Sequence, residues 1–234
     1  MKSIKSAWLN LILAPIWFLL AIIIASIYFG AQGIEENSIP VKITENVPTI
    51  ILCVQLLLLS TLYFSSRKDH FNIFKKNWHV PKNTSLVQEI CFGGLTGISI
   101  AILYIFLLSP LQLFLQNSIG DYVPAGETMN ALGKQTIIFF VANVIFAPFV
   151  EESLYRNYSL TLFLEQYSFQ KAIALNTIFF GLLHWTGGFW YILMTAIFVG
   201  LPFAFITFKR KSIIWVFAAH LTLNLIEFVY IYLR

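Results

Sequence analysis

The sequence predicts an all-α fold: a polytopic transmembrane helical bundle of about seven spans, with room for an eighth short helix. Three observations predict it. The chain is 58% hydrophobic and only 11% charged, against roughly 25% charged in soluble domains, so a water-surrounded fold would have nowhere to hide its apolar surface. Apolar runs near 20 residues recur along its length, and that is what a helix needs to cross hydrocarbon. Strands are not credible in runs this long. Lys and Arg also gather in alternate loops, the pattern of a multi-pass protein.

Taken in order, the first span covers residues 7–31, after Lys2 and Lys5. It exceeds the roughly 7–15 residue apolar core of a cleaved signal and reads as a retained helix. The second covers 47–66. The third covers 85–115, with a break near Ser109-Pro110. The fourth (134–164) and fifth (169–185) form a hairpin turning at Gln166-Tyr167-Ser168. The sixth is 189–208 and the seventh 212–232. The extra short helix would lie at 119–130. The whole chain, 1–234, reads as a single integral membrane domain. Residues 1–133 form its N-terminal helices, and 134–234 a core that carries the candidate catalytic residues. Arg67, Lys68, Lys75, Lys76, Lys82 and Lys209-Arg210-Lys211 share one side with the N-terminus, whereas Glu35, Glu36, Glu45, Asp121 and Glu127 fall on the other. The basic side is expected to face the cytoplasm. The net charge of +4 comes from these loops. No Lys/Arg stripe interleaved with aromatics occurs outside them, which argues against nucleic acid as a partner. Cys53 and Cys91 lie in apolar stretches without CxxC spacing, against a thiolate zinc site or a disulfide framework.

Three polar clusters interrupt the apolar core: Glu151-Glu152-x-x-x-Arg156, Phe180-x-x-x-His184 and His220-x-x-x-Asn224. Ionisable groups in hydrocarbon cost several kcal/mol unless paired or hydrated, so they mark function by default. Glu151 and His184 each lie about 25 Å from the hairpin turn at 1.5 Å per residue, which places them at one height on antiparallel helices. His220 reaches that height if the hairpin projects beyond the membrane, and the polar stretch Arg156-Asn157-Tyr158-Ser159 is consistent with such a protrusion. Glu152 and Arg156 are helical neighbours at i, i+4. Glu151 points about 100° away and can serve another partner. Hydrolysis needs an activated water and donors for the developing oxyanion. Glu151 with His184 would supply the first, and His220 with Asn224 the second. Alternatively, Glu151, His184 and His220 would hold zinc, a known catalytic ligand set. The chain has neither HExxH nor GxSxG. Gly93-Gly94-x-x-Gly97 suggests a close helix contact inside the bundle.

Three motifs in this order on successive membrane helices resemble the CPBP intramembrane proteases, the CAAX prenyl endopeptidases and bacteriocin-processing enzymes also called the Abi family. The resemblance spans residues 136–230. It implies that Glu151 activates water with help from His184, that Glu152 and Arg156 support the site electrostatically, and that His220 and Asn224 form the oxyanion hole. It implies a peptide or membrane-protein substrate and the lipid bilayer as partners, and leaves metalloprotease and metal-free glutamate protease both open. Two positions depart from the family pattern: Asn157, where Gly is common, and Trp185-Thr186-Gly187-Gly188, which lacks a following Asn. The expected function is an intramembrane endopeptidase in a bacterial cell membrane, its cavity open towards the cytoplasm. The alternatives are a non-catalytic bacteriocin self-immunity or peptide-binding protein, and a proton-coupled transporter.

Overall fold

The computed structural model describes residues 4–123 and 135–233. Lys2, Glu127 and Lys134 of the sequence reading lie outside them. The helices are α1 (Ile4–Ala31), α2 (Ile39–Glu45), α3 (Val47–Lys68), α4 (Leu86–Ser118), α5 (Thr136–Gln166), α6 (Phe169–Leu183), α7 (Phe189–Arg210) and α8 (Ile214–Tyr232). Among the described residues there is no strand. Six helices are long and apolar enough to cross a membrane. The expected fifth span, α6, has 15 residues, about 22 Å of helix and short of the roughly 30 Å hydrocarbon core. It ends at His184, where the chain enters the tight turn Trp185–Gly187. The turn leaves His184 inside the bundle, and it is tolerated there because Thr186 and Gly187 line a cavity.

Local chemistry sets several boundaries. Ser85 and Gln88 form a reciprocal capping box at the start of α4, and Ser168 caps α6 after the predicted hairpin turn. Lys211, in the left-handed conformation at φ 53°, ends α7. The expected break at Ser109-Pro110 is instead a continuous helix that widens to π geometry over Tyr104–Leu108. The same widening occurs over Phe140–Phe146 and Ala196–Gly200. Each of these segments ends two residues before a proline: Pro110, Pro148 and Pro202. Proline gives no N–H to the preceding turn and its ring crowds the carbonyl four residues back, so the helix relaxes there instead of stopping. The extra helix expected at 119–130 does not begin in its described part, since Ile119–Val123 is turn and coil; the remainder lies outside the described residues. The short helix α2, in the first loop, was not anticipated.

Gly93 and Gly97 do lie at a contact inside the bundle. A side chain at either position would strike the backbone oxygens of Trp215 and Ala219 on α8. α4 is also tied to α7 by buried Glu89, which accepts from Arg210 Nε at 2.9 Å. Cys53 and Cys91 are free. The stretch 156–159 does not protrude, correcting the sequence reading: all four residues are fully buried. The basic segment after α3 folds over them. Asn157 Nδ2 donates to Ile73 O at 2.8 Å, Asn77 Nδ2 donates to Asn157 Oδ1 at 3.2 Å, and Tyr158 OH donates to Asp69 at 2.6 Å. Asn157 therefore anchors this loop and does not reshape the cavity.

Candidate active site

The three motifs converge. Within α5 the helix is π-widened over Glu152–Ser159, a distortion common at functional sites, and both carboxylates point into the bundle. Glu152 Oε1 faces Arg156 Nη1 at 3.3 Å and accepts a hydrogen bond from His220 Nδ1 at 2.8 Å. Arg156 is fully buried. Its guanidinium lies 3.9 Å from the centroid of the Phe180 ring and donates to Gly200 O at 3.4 Å. Phe180 also packs against His184 and His220, at ring-centroid distances of 5.0 and 6.0 Å. This explains why Phe180 accompanies the histidine motif: one ring covers the cation and sets both imidazoles.

Glu151 has a different environment. Its Oε1 accepts from Gln55 Nε2 at 2.8 Å. Its Oε2 is buried and takes no hydrogen bond from the protein. That oxygen stands 4.0 Å from His184 Nε2 and 4.0 Å from His220 Nε2. The tautomers follow from the other ring nitrogens. His184 Nδ1 lies 2.9 Å from Phe180 O, and His220 Nδ1 lies against the Glu152 carboxylate. A carbonyl and an ionised carboxylate only accept, so both Nδ1 atoms carry hydrogen, and each Nε2 faces Glu151 as a lone pair when its ring is neutral and as an N–H donor when it is an imidazolium. A water at about 2.8 Å from both Glu151 Oε2 and one such Nε2 would subtend about 90° there, close to its own H–O–H angle. Its two hydrogens would be held and its lone pairs left free.

Asn224 reaches the site from one turn beyond His220. Its Nδ2 donates to Asn143 O at 2.8 Å. Pro148 leaves that carbonyl available, because a widened helix would pair it with the N–H five residues on, which proline lacks. A second N–H of the same amide remains. Asn224, His220 and His184 line a side cavity of about 40 Å³, room for one or a few waters. A larger cavity of about 310 Å³ is lined by Glu151, Gln55, His184 and mainly apolar residues, a volume at the lower end of ligand sites. It runs towards the end of the bundle that holds Thr44, Val123 and Gly187, away from the basic loops. This corrects the expectation of a cavity facing the basic side. Among the described residues, the short α6 and the turn after it leave the bundle open at that end.

Residues 133–226 match the family model Rce1-like, type II CAAX prenyl endopeptidase. This region is similar to the CAAX-protease family, in line with the resemblance of the three motifs. The match covers about two fifths of the chain and includes all six predicted site residues. No curated protein and no solved structure matches the chain. At the level of the family, the match supports an intramembrane protease of CAAX type and a multi-pass membrane protein.

Outside the Rce1-like region, the sequence reading missed three contributors. Gln55 is a lone amide in the apolar α3, with no spacing to distinguish it. Asp121 stood out only as an acidic loop residue. Its Oδ1 accepts the N–H groups of Tyr122 at 2.7 Å and Phe189 at 2.9 Å, and its Oδ2 accepts from Gln116 at 3.3 Å and Trp190 at 3.4 Å. Tyr122 OH donates to Trp185 O, and Trp190 Nε1 to Gly120 O at 3.0 Å. Gly188, at φ +93°, leaves room for this carboxylate, which any side chain there would hit. The clamp ties the turn after His184 to the start of α7. Burial acts to raise the Asp121 pKa, but the surrounding backbone N–H donors and the Gln116 amide outweigh it and hold the carboxyl below its ordinary value. Glu227 was also missed, although it continues the His220/Asn224 face at i+7 and i+3.

Among the described residues no group of three or more His, Cys, Asp or Glu side chains is gathered as a metal site. The donor chemistry nonetheless fits zinc: two Nε2 lone pairs oriented by Nδ1 hydrogen bonds, and one unengaged buried carboxylate oxygen. Glu151, His184 and His220 would hold the ion.

Proposed function

We propose that the protein is an intramembrane endopeptidase that cleaves a peptide or membrane-protein substrate, with Glu151 as general base. The observation that carries this reading is the buried, unengaged Glu151 Oε2, placed 4.0 Å from each of two imidazole Nε2 atoms. Water bound between Glu151 and His184 gives a proton to Glu151 as its oxygen attacks the carbonyl carbon. The negative charge moves to the carbonyl oxygen. Glu151 then delivers the proton to the departing nitrogen as the C–N bond breaks. Asn224 donates its second N–H to the oxyanion. His220 contributes as the imidazolium, which the carboxylate of Glu152 stabilises through Nδ1. Zinc, when bound, would polarise the carbonyl and make the water more acidic; the protein groups keep their positions in either case. The basic end faces the cytoplasm in this reading, and the cavity faces the opposite side.

The test compares peptide termini in membranes and medium between cells carrying wild-type protein and cells carrying Glu151→Gln at matched abundance. Loss of a positioned base is expected to lower cleavage by about 10²–10⁴-fold, so the substrate termini disappear. Unchanged termini, including under stress and during peptide export, would discard the protease in favour of the peptide-binding or immunity reading.

A further inference from the structure

We propose that Glu227 forms a cation-recognising subsite of the substrate cavity, selecting peptides that carry a Lys or Arg side chain, or a free amine, near the bond to be cleaved. The inference rests on the protease reading for the identity of the ligand as a peptide. Four observations converge on it.

Glu227 borders the large cavity of Glu151 and also the side cavity of His220 and Asn224. Among the described residues only Tyr104, His184 and Tyr191 share that position with it, so Glu227 stands where the two spaces meet. Second, among the described residues no hydrogen bond or ion pair holds that carboxylate. The other carboxylates deep in the bundle each have one: Glu152 with Arg156 and His220, Glu151 with Gln55, Glu89 with Arg210. An acid without a partner in hydrocarbon is costly, and a ligand cation would offset that cost. Third, the rings of Tyr104, Tyr191 and Phe228 line the same cavity, and aromatic faces beside a carboxylate favour a desolvated cation. Tyr191 in turn packs on His184 with centroids 5.8 Å apart, so an occupant of this corner lies next to the catalytic imidazole. Fourth, Glu227 lies seven residues beyond His220 on one helical face, about 10 Å along the axis. An extended peptide covers that in about three residues. The selected cation would therefore sit one to three positions from the scissile bond, on the side of the cavity away from Arg156.

The discriminating measurement is binding, with turnover removed. Full-length Glu151→Gln protein in nanodiscs is titrated with a synthetic apolar decapeptide containing one Lys, and with the same peptide carrying norleucine instead. The Lys peptide is expected to bind about tenfold more tightly. In Glu151→Gln/Glu227→Gln, nearly isosteric with the parent, that ratio should fall to about one. Glu227→Asp should keep part of it. Glu227→Lys should reverse it towards a Glu-containing peptide, and this result cannot arise from misfolding. A ratio near one in the parent, or a preference that survives Glu227→Gln, overturns the subsite. The wild-type protein is then assayed for cleavage of both peptides. A Lys preference in binding without any cleavage would sink the protease reading and leave the subsite standing. Cleavage without a Lys preference would do the reverse.

Discussion

Helices α5–α8 and helices α1–α4 contribute to one site in different ways. The C-terminal four carry every motif residue, and three of these are matched in charge inside the bundle: Arg156 against Glu152 and His220 on the same carboxylate, with Phe180 over the guanidinium. The N-terminal four carry no motif and lie outside the Rce1-like match. Yet Gln55 of α3 holds one oxygen of Glu151, α4 packs its glycines against the helix bearing His220, and Asp121 clamps the turn after His184. In the proposed mechanism the C-terminal half supplies the reacting groups and the charge balance that lets them be buried. The N-terminal half aims them. Damage to the first should cost both fold and activity, whereas damage to the second should slow the reaction in a folded protein.

Arg156 offers the sharpest break on the C-terminal side. Arg156→Met leaves the fully buried Glu152 carboxylate facing only His220, and removing one partner of such a pair costs about 3–5 kcal/mol. For a chain of this size that amounts to roughly 10 °C or more in Tm, with lower abundance in the membrane and no activity. Arg156→Lys should rescue little, because an ammonium cannot reach Glu152 and Gly200 O at once while stacking on Phe180. Thermal unfolding of the purified variants checks this. An unchanged Tm would mean that the ion pair does not hold α5 in place, and the contrast between the halves would lose its basis.

Much of the C-terminal arrangement was legible before the structure. Ionisable residues within apolar runs have few reasons to be there, and the distances of Glu151 and His184 from the hairpin turn already placed them level. Pro110 was legible too, although the break expected there is a widened turn. What the sequence did not disclose depends on tertiary cover. Residues 156–159 read as a protrusion because nothing local shows that Ile73, Asn77 and Asp69 fold over them. The direction of the cavity was misjudged because it follows from the shortness of α6, which an apolar run continuing to Trp185 concealed. Gln55 was illegible, since one amide in a helix is usually only a link between helices. Glu227 had a signal in its i+7 spacing from His220, overlooked because the motif ended at Asn224.

Gln55 tests the N-terminal half directly. Gln55→Leu removes the donor to Glu151 Oε1 without altering any motif residue. Hydrogen bonds to charged groups contribute about 1.5–3 kcal/mol, so kcat should fall by about 10–100-fold. KM should change little, because the substrate does not require this bond for binding. A double-mutant cycle separates aim from structure: once Glu151→Gln has removed the base, Gln55→Leu should cost nothing further. A full additional loss in that background would mean that Gln55 acts on the fold and not through Glu151.

The smallest expected effect belongs to Asp121, two steps removed from the chemistry. Its carboxyl is held below the ordinary carboxylate pKa by the N–H groups it accepts from. A group with a lowered folded-state pKa contributes its stabilisation above its unfolded value, and loses it as pH falls through the folded one. The clamp is therefore complete at neutral pH and weakens only in acid, below the ordinary carboxylate range near 4. Asp121→Asn keeps the shape but replaces one acceptor oxygen with an NH₂ group, which faces backbone N–H donors and repels them. The turn Trp185–Gly187 should loosen at every pH, with faster hydrogen exchange at Phe189 and Trp190 and a several-fold drop in kcat. In the wild type, the same exchange should accelerate only when the medium is acidified. Equal protection of Phe189 in both proteins at neutral pH would show that α7 starts without Asp121, and that His184 is held in place by Phe180 and Tyr191 alone.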